Sequence, residues 1–420
     1  MSSSKLSFFA ATLISINIML GTGVFINTVI LAQNAGAAAC FLYVITGLIM
    51  LPLVISMAQL NALIPQAHFY TFGALITPFL GFLSTWSYFF AKLSSAALSM
   101  HVFNTFLQKT VPLLSSVSTL SLDMVLITFF VLLNTLHVQI GKRIQTGFLS
   151  MKILLFSFAI IVGLWKMQLI NITGPSYIWS GIPISLPLIL FCFLGFEASC
   201  SITNLIDDPQ KNAPRAIITA FSIVLGLITL YQFLFYAAVG AEGFSQNANY
   251  TNAFPLLIAK ISPHLVMYLA PLCSIAIAFS ALGGAYGIMY INGWNLYKLA
   301  QANMIPKSEL FIRLNAHGIP TLCIITQGLT CAFFLLTTKG AQIPLQYTAV
   351  LGSIATYLIS VVGFYKKTQS NLAIAGLVTC GILLGLSLYG FVKTSLAPLF
   401  IFYTILALGS VLYYIRRKQA

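Results

Sequence analysis

The chain is a succession of apolar runs of about 20 residues, separated by short polar connections, along all of its 420 residues. Each run is long enough to cross a hydrocarbon layer of about 30 Å as a helix. An unpaired backbone N–H or C=O in that layer costs several kcal/mol, so the runs are expected to be helices that satisfy their own backbones. The pattern predicts twelve spans, near residues 7–32, 37–64, 78–107, 122–140, 146–167, 184–205, 215–240, 263–297, 319–337, 343–364, 372–391 and 396–415. The expected fold class is an all-α integral membrane protein. The first run has a short polar leader with one basic residue, an apolar stretch too long for a signal core and no small-residue cleavage site after it, so it is expected to remain as a span.

Two of the predicted spans are interrupted. The first reads Asn17-Ile18-Met19-Leu20-Gly21-Thr22-Gly23-Val24-Phe25, and the sixth reads Phe191-Cys192-Phe193-Leu194-Gly195-Phe196-Glu197-Ala198-Ser199. Each opens a group of five spans. Breaks at matching places in two halves point to an inverted-repeat transporter and to its binding site. The expected organisation is a first five-helix repeat over 1–168, a second over 169–366 and two additional helices over 367–420. An unwound segment survives in hydrocarbon only where it lines a cavity that supplies hydrogen-bond partners. Glycine permits the unusual dihedrals and lets a ligand approach the backbone. The N–H groups at the start of a half-helix attract a carboxylate, and the carbonyls across the break suit an ammonium, so a zwitterion fits both ends. Gly-Thr-Gly alone is a weak signal, because glycine also marks close helix packing in membranes. Its pairing with the break at Gly195 is what gives it weight.

Composition agrees with this class. Hydrophobic residues make up 59% of the chain and charged residues only 6%, against roughly a quarter charged in soluble domains. The short connections are expected to leave no room for an appended soluble domain or for the larger polar site of a membrane enzyme. The net charge of +14 does not mark a nucleic-acid partner, because of where it lies. With twelve spans and the N-terminus inside, Lys5, Lys142, Arg143, Lys211, Arg215, Lys298, Lys307, Arg313, Lys366, Lys367, Arg416, Arg417 and Lys418 fall on the cytoplasmic side. Only Lys109, Lys166, Lys260, Lys339 and Lys393 fall outside, which is the positive-inside bias. Both termini are therefore expected in the cytoplasm. The seven cysteines form no CxxC pair and are expected as small core residues at helix contacts. His68, His101, His137, His264 and His317 are scattered, no set at metal-ligand spacing is present, and no cofactor or metal is expected.

Ionisable groups inside spans are the remaining candidates. Of the six acids, Glu197 is read as the one within a span, while Asp123, Asp207, Asp208, Glu242 and Glu309 are expected at span ends or in loops. A charge at mid-bilayer costs roughly 2.5–3.5 kcal/mol on insertion scales, so Glu197 is a functional candidate by default. Its alternative is a protonated acid bonded to a neighbouring helix. Lys92, at the centre of span three, has no route to the surface and is either a proton-exchanging group or half of a structural pair. Lys152, early in span five, has the additional option of snorkelling to the cytoplasm.

These residues resemble the amino acid–polyamine–organocation (APC) superfamily. Asn17 to Phe25 is similar to that family's G-[ST]-G-[IV]-F signature. Gly195-Phe196-Glu197-Ala198, followed by Asp207-Asp208-Pro209-Gln210-Lys211-Asn212-Ala213-Pro214-Arg215, is similar to its span-six signature. Tyr297 to Pro306, with Gly318-Ile319-Pro320 behind it, resembles the loop after the eighth span. The likeness is strongest to the bacterial basic amino acid/polyamine antiporters, such as the arginine/agmatine exchanger. The resemblance implies the LeuT-type five-plus-five inverted repeat with discontinuous helices one and six, a monomer or homodimer, and a bacterial inner membrane. It implies that Thr22 and Gly23 hold the substrate carboxylate, and that Met19, Phe191 and Leu194 offer carbonyls to the ammonium beside the breaks at Gly21 and Gly195. It also implies an aromatic gate at Phe191, a proton-sensing role for Glu197, a position near the site for Tyr88, and for Lys152 the place of a sodium ion in sodium-coupled relatives.

The chain departs from the exchanger pattern at Lys92, where a small neutral residue faces the site, and in span eight, where Gly283-Gly284-Ala285-Tyr286 has its aromatic one place along. A neutral or small amino acid therefore stands beside a basic one or a diamine as the expected substrate. The expected function is a secondary transporter of amino acids or related amines, an antiporter or proton-linked permease. A sodium-coupled symporter of the same fold is the alternative, and a membrane enzyme or sensor the outlier.

Overall fold

The computed structural model describes residues 5–64, 68–136, 138–174, 177–244 and 248–419. Nine helices are long and apolar enough to cross a membrane among these residues. Three further helices complete the twelve: Pro78–Thr110, Thr119–Asn134 and Ile182–Phe193. His137 lies outside the described residues, as does the structure around the Lys142 and Arg143 side chains. No strand occurs among the described residues.

The helices track the apolar runs because each run supplies its own backbone partners. Span two is Ala39–Leu63, span three Pro78–Thr110, span four Thr119–Asn134 and span five Val138–Lys166. Span seven is Pro209–Gly243, span eight Val266–Gln301, span nine Thr321–Thr338 and span ten Gln342–Thr368. Spans eleven and twelve are Asn371–Thr394 and Ala397–Gln419. Span four is displaced towards the N-terminus of its expected range, ending at Asn134 instead of residue 140. Short helices not expected from the apolar pattern lie between spans, notably Phe69–Ala74 and Ala253–Ala259.

Spans one and six are each interrupted. Span one consists of Phe8–Met19 and Thr22–Ala35, with Leu20 and Gly21 between them. Span six consists of Ile182–Phe193 and the single turn Ala198–Ser201, with residues 194–197 between. Span three packs along spans eight and ten and forms a wall beside the breaks. Small residues allow this approach: a Cβ on Gly352 would sit 2.7 Å from Ala91 Cβ and 2.8 Å from the Ser87 carbonyl. Polar side chains tie the layers where no water is available. Asn292 donates to the Phe89 carbonyl at 2.9 Å, and Thr356 donates to the Ser84 carbonyl at 2.9 Å.

Both ends of the broken pair are closed. On one face Leu6 pairs with Ile206, with the Leu6 N–H donating to the Leu205 carbonyl at 2.7 Å and the Asp207 N–H to the Leu6 carbonyl at 2.9 Å. On the other, Gly36 pairs with Tyr177, and the Ile178 N–H donates to the Ala35 carbonyl at 3.1 Å. These pairings tie the two broken spans to each other on either side of the breaks.

Candidate substrate site at the helix breaks

The break in span one is built from local geometry. The first half ends as the Leu20 N–H donates to the Ile16 carbonyl at 2.8 Å, and Gly21 then turns the chain before the second half starts at Thr22. Gly21 lies against span eight, where a Cβ on Gly284 would be 3.1 Å from the Gly21 Cα. Neighbours take up carbonyls that the break leaves over: Lys152 Nζ donates to Asn17 O at 2.6 Å, and Ser280 Oγ donates to Leu20 O at 3.4 Å. Asn17 Nδ2 in turn donates to the Gly283 carbonyl at 3.2 Å, joining spans one and eight. Lys152 is fully buried and does not snorkel.

The break in span six turns on Gly195, whose φ of +132° lies where L-residues rarely go. A Cβ there would also meet Ile18 Cγ2 at 2.7 Å and the Met19 backbone N at 3.1 Å. Glycine at 195 is therefore what lets the two breaks touch.

Between them is a cavity of only about 10 Å3, room for about one water molecule. Met19, Gly21, Thr22 and Gly23 line it from span one, and Phe191 and Leu194 from span six. The sequence reading thus named six of its walls. It did not name Ile18, Ser95, Ser99, Gly284 and Ile288, which complete the lining. Serine and glycine recur throughout these spans, and only the spacing of Ser95 and Ser99, one helical turn apart, could have marked them as one face. Thr22 Oγ1 donates to Ser99 Oγ at 2.6 Å, crossing from span one to span three. Phe191 closes the cavity over Gly23: a Cβ on Gly23 would fall 2.7 Å from Phe191 Cδ1. No lining side chain is ionisable. Tyr286 is not among them, and its ring packs at 5.6 Å from that of Phe130.

Glu197, Tyr88 and Lys92 come together just outside the cavity. Glu197 Oε1 accepts from Tyr88 Oη at 2.8 Å and lies 2.6 Å from Lys92 Nζ. Glu197 Oε2 accepts the Gly195 N–H at 3.0 Å, so the carboxylate holds the second break from behind. All three residues are buried. Lys92 occupies the face of span three that carries Ser95 and Ser99, one turn from the first and two from the second. Its ammonium is turned to the carboxylate. Lys92 is thus paired with a carboxylate and Glu197 with a lysine.

One expectation is corrected. Glu197 is not the only acid enclosed by the spans, because Asp123 lies within span four and is fully buried. Its Oδ2 is 2.7 Å from His101 Nδ1 and its Oδ1 accepts from Asn104 Nδ2 at 2.7 Å. Span four begins earlier than its apolar run, and that earlier start carries Asp123 into the helix packing. Among the described residues no three His, Cys, Asp or Glu side chains cluster as metal ligands would.

A multi-span helical bundle whose two broken helices enclose a small polar cavity at mid-height defines a class, that of membrane carriers with a central substrate site. The chain matches the amino acid permease family, within the APC superfamily, over residues 6–420 and belongs to it. It is 22% identical over 397 residues to the D-serine/D-alanine/glycine transporter of Escherichia coli K12, covering 86% of this chain and 80% of that one. It is 22% identical over 348 residues to the aromatic amino acid transport protein AroP of Salmonella typhimurium LT2, covering 77% of this chain and 72% of that one. It is 24% identical over 180 residues to the glutamate/gamma-aminobutyrate antiporter of Lactococcus lactis IL1403, covering 42% and 35%. The family and these relatives are transporters, and the chain is a multi-pass amino acid transporter of this family.

Proposed function

We propose that the chain moves a small neutral amino acid across a bacterial inner membrane by alternating access, as an exchanger or proton-linked permease. The observation that carries this reading is the lining of the cavity: it offers Thr22, Ser99 and the start of a half-helix, and no ionisable side chain. A zwitterion needs only the helix N-terminus for its carboxylate and carbonyls of Met19, Phe191 and Leu194 for its ammonium. A guanidinium or second ammonium needs a carboxylate, and Glu197 is already engaged by Lys92. The name of the Escherichia coli relative, with D-serine, D-alanine and glycine, is in keeping with a small substrate.

In this reading the repeats 1–168 and 169–366 each contribute one broken helix, and 367–420 is an appendage. Both termini are cytoplasmic. Lys152 stands in for a coupling cation, because its ammonium already donates to the Asn17 carbonyl at the first break. Uptake of labelled glycine, alanine and serine into proteoliposomes tests the reading. Transport is expected under a proton gradient or against internal substrate, with sodium replaceable by choline, and lost in Gly23→Leu at unchanged expression. Strict sodium dependence sinks the assignment to Lys152. Unimpaired uptake by Gly23→Leu sinks the site.

A further inference from the structure

A second cavity, of about 700 Å3, lies far from the breaks. It opens where the start of span three, the loop after span eight and the end of span twelve meet, with Thr77, Phe79, Asn303, Tyr413, Arg416 and Arg417 in its wall. Transport at the central site makes no use of it. None of the chain's six acids lines it, and among the described residues neither guanidinium has a carboxylate within 4.0 Å. Arg416 donates from one terminal nitrogen to Asn303 Oδ1 at 2.5 Å, which leaves its other terminal nitrogen without a hydrogen bond among the described residues. Lys366 adds a third cation, donating to the Ile76 carbonyl next to Thr77 at 3.3 Å.

We propose that this cavity binds the phosphodiester headgroup of an anionic phospholipid. Two guanidiniums in one wall suit phosphate oxygens, and arginine forks match phosphate geometry. Basic pockets between spans at the cytoplasmic interface are suited to acidic lipid headgroups. The surroundings of the arginines point to a lipid instead of a free anion. Phe79 and Tyr413 pair at a ring separation of 5.1 Å, an aromatic pair at the end of two spans where interfacial aromatics gather. Tyr414 and Ile415, beside the arginines, are exposed on the outside of the bundle, where acyl chains run. The bound lipid braces span twelve against spans three and eight. Assignment to the cytoplasmic leaflet rests on the orientation proposed above, while binding itself does not.

Native mass spectrometry of the full-length protein in detergent tests this, with phosphatidylglycerol, phosphatidylethanolamine and inorganic phosphate as probes. Wild type is expected to retain phosphatidylglycerol in preference to phosphatidylethanolamine. The double variant Arg416→Gln/Arg417→Gln is expected to bind it roughly thirtyfold more weakly, at about a kcal/mol per basic residue. Lys307→Gln/Arg313→Gln, which removes the same charge outside the cavity, is expected to bind as wild type does. Arg416→Lys/Arg417→Lys is expected to recover part of the binding, the share due to charge without the guanidinium fork, which separates lost charge from lost folding. Equal retention by wild type and the glutamine variant overturns the proposal. So does equal retention of the two lipids. Displacement of the lipid by equimolar phosphate overturns the lipid in favour of a free-anion site. Substrate uptake is read in parallel, so that failure here leaves the central site untouched.

Discussion

Both oxygens of the Glu197 carboxylate are committed, one to Tyr88 and Lys92 and the other to the Gly195 N–H. Removing one member of a buried pair leaves the other charge without compensation, at a cost of about 3–5 kcal/mol, whereas removing both charges together can be nearly neutral. Glu197→Gln is therefore expected to lower the thermal stability of the detergent-solubilised protein sharply, as is Lys92→Met. The double variant is expected to be more stable than either. A double variant as unstable as the sum of the two would mean that the pair is not the dominant interaction. Transport should separate the roles further: Glu197→Gln is expected to flatten the pH dependence of uptake, and an unchanged profile makes the pair purely structural. At this scale the sequence was legible where a residue type was rare in its setting. One acid and two lysines inside apolar runs declared themselves. Ser95, Ser99 and Gly284 did not, because such residues are ordinary at helix contacts in membranes. The buried pairing of Asp123 with His101 was hidden because it joins two spans across a gap of 22 residues.

The breaks could be read as elements because Gly-x-Gly in one span and Gly-x-Glu in another, at matching places in two halves, exceed what helix packing alone requires. The closures at either end could not, since they are backbone pairings between segments with no distinctive composition. The tightest approach is at the start of span six, where a Cβ on Gly181 would overlap the Asn34 carbonyl oxygen. No rotamer change relieves a clash with backbone, so Gly181→Ala must push span six away from the end of span one. The Gly36 to Tyr177 pairing and the Ile178 to Ala35 hydrogen bond lie in the same closure and are expected to part with it. The expected outcome is a carrier biased open on that face. All seven native cysteines are buried, and Cys192 lies at the break beside Gly23. Membrane-impermeant thiol reagents should therefore label Cys192 faster in Gly181→Ala than in wild type when applied to that face. Equal labelling rates would show that the closure tolerates the methyl group and does not gate access. Short helices such as Ala253–Ala259 were missed for a related reason: seven residues are too few for the apolar pattern to separate helix from loop.

For the whole molecule, the closed cavity sets a condition on binding. About 10 Å3 cannot admit an amino acid, so in the proposed mechanism substrate enters only when Phe191 and the flanking halves of spans one and six move apart. The apparent affinity is then the intrinsic affinity reduced by the fraction of carrier that has opened. In the proposed mechanism the bound substrate bridges the two breaks and replaces the contacts that opening removed. Binding to the folded carrier alone adds stability as the logarithm of ligand concentration over Kd, about 2.7 kcal/mol at one hundred times Kd. A thermal-shift screen of the purified protein against all amino acids and common diamines is thus expected to single out glycine, alanine or serine. The shift should grow with the logarithm of concentration and vanish in Gly23→Leu. Arginine, agmatine and diamines are expected to give none, because the only carboxylate at hand is held by Lys92. A shift with the diamines and none with the neutral amino acids would mean that Glu197 exchanges Lys92 for the substrate cation, and that the ion pair is a displaceable part of the binding site.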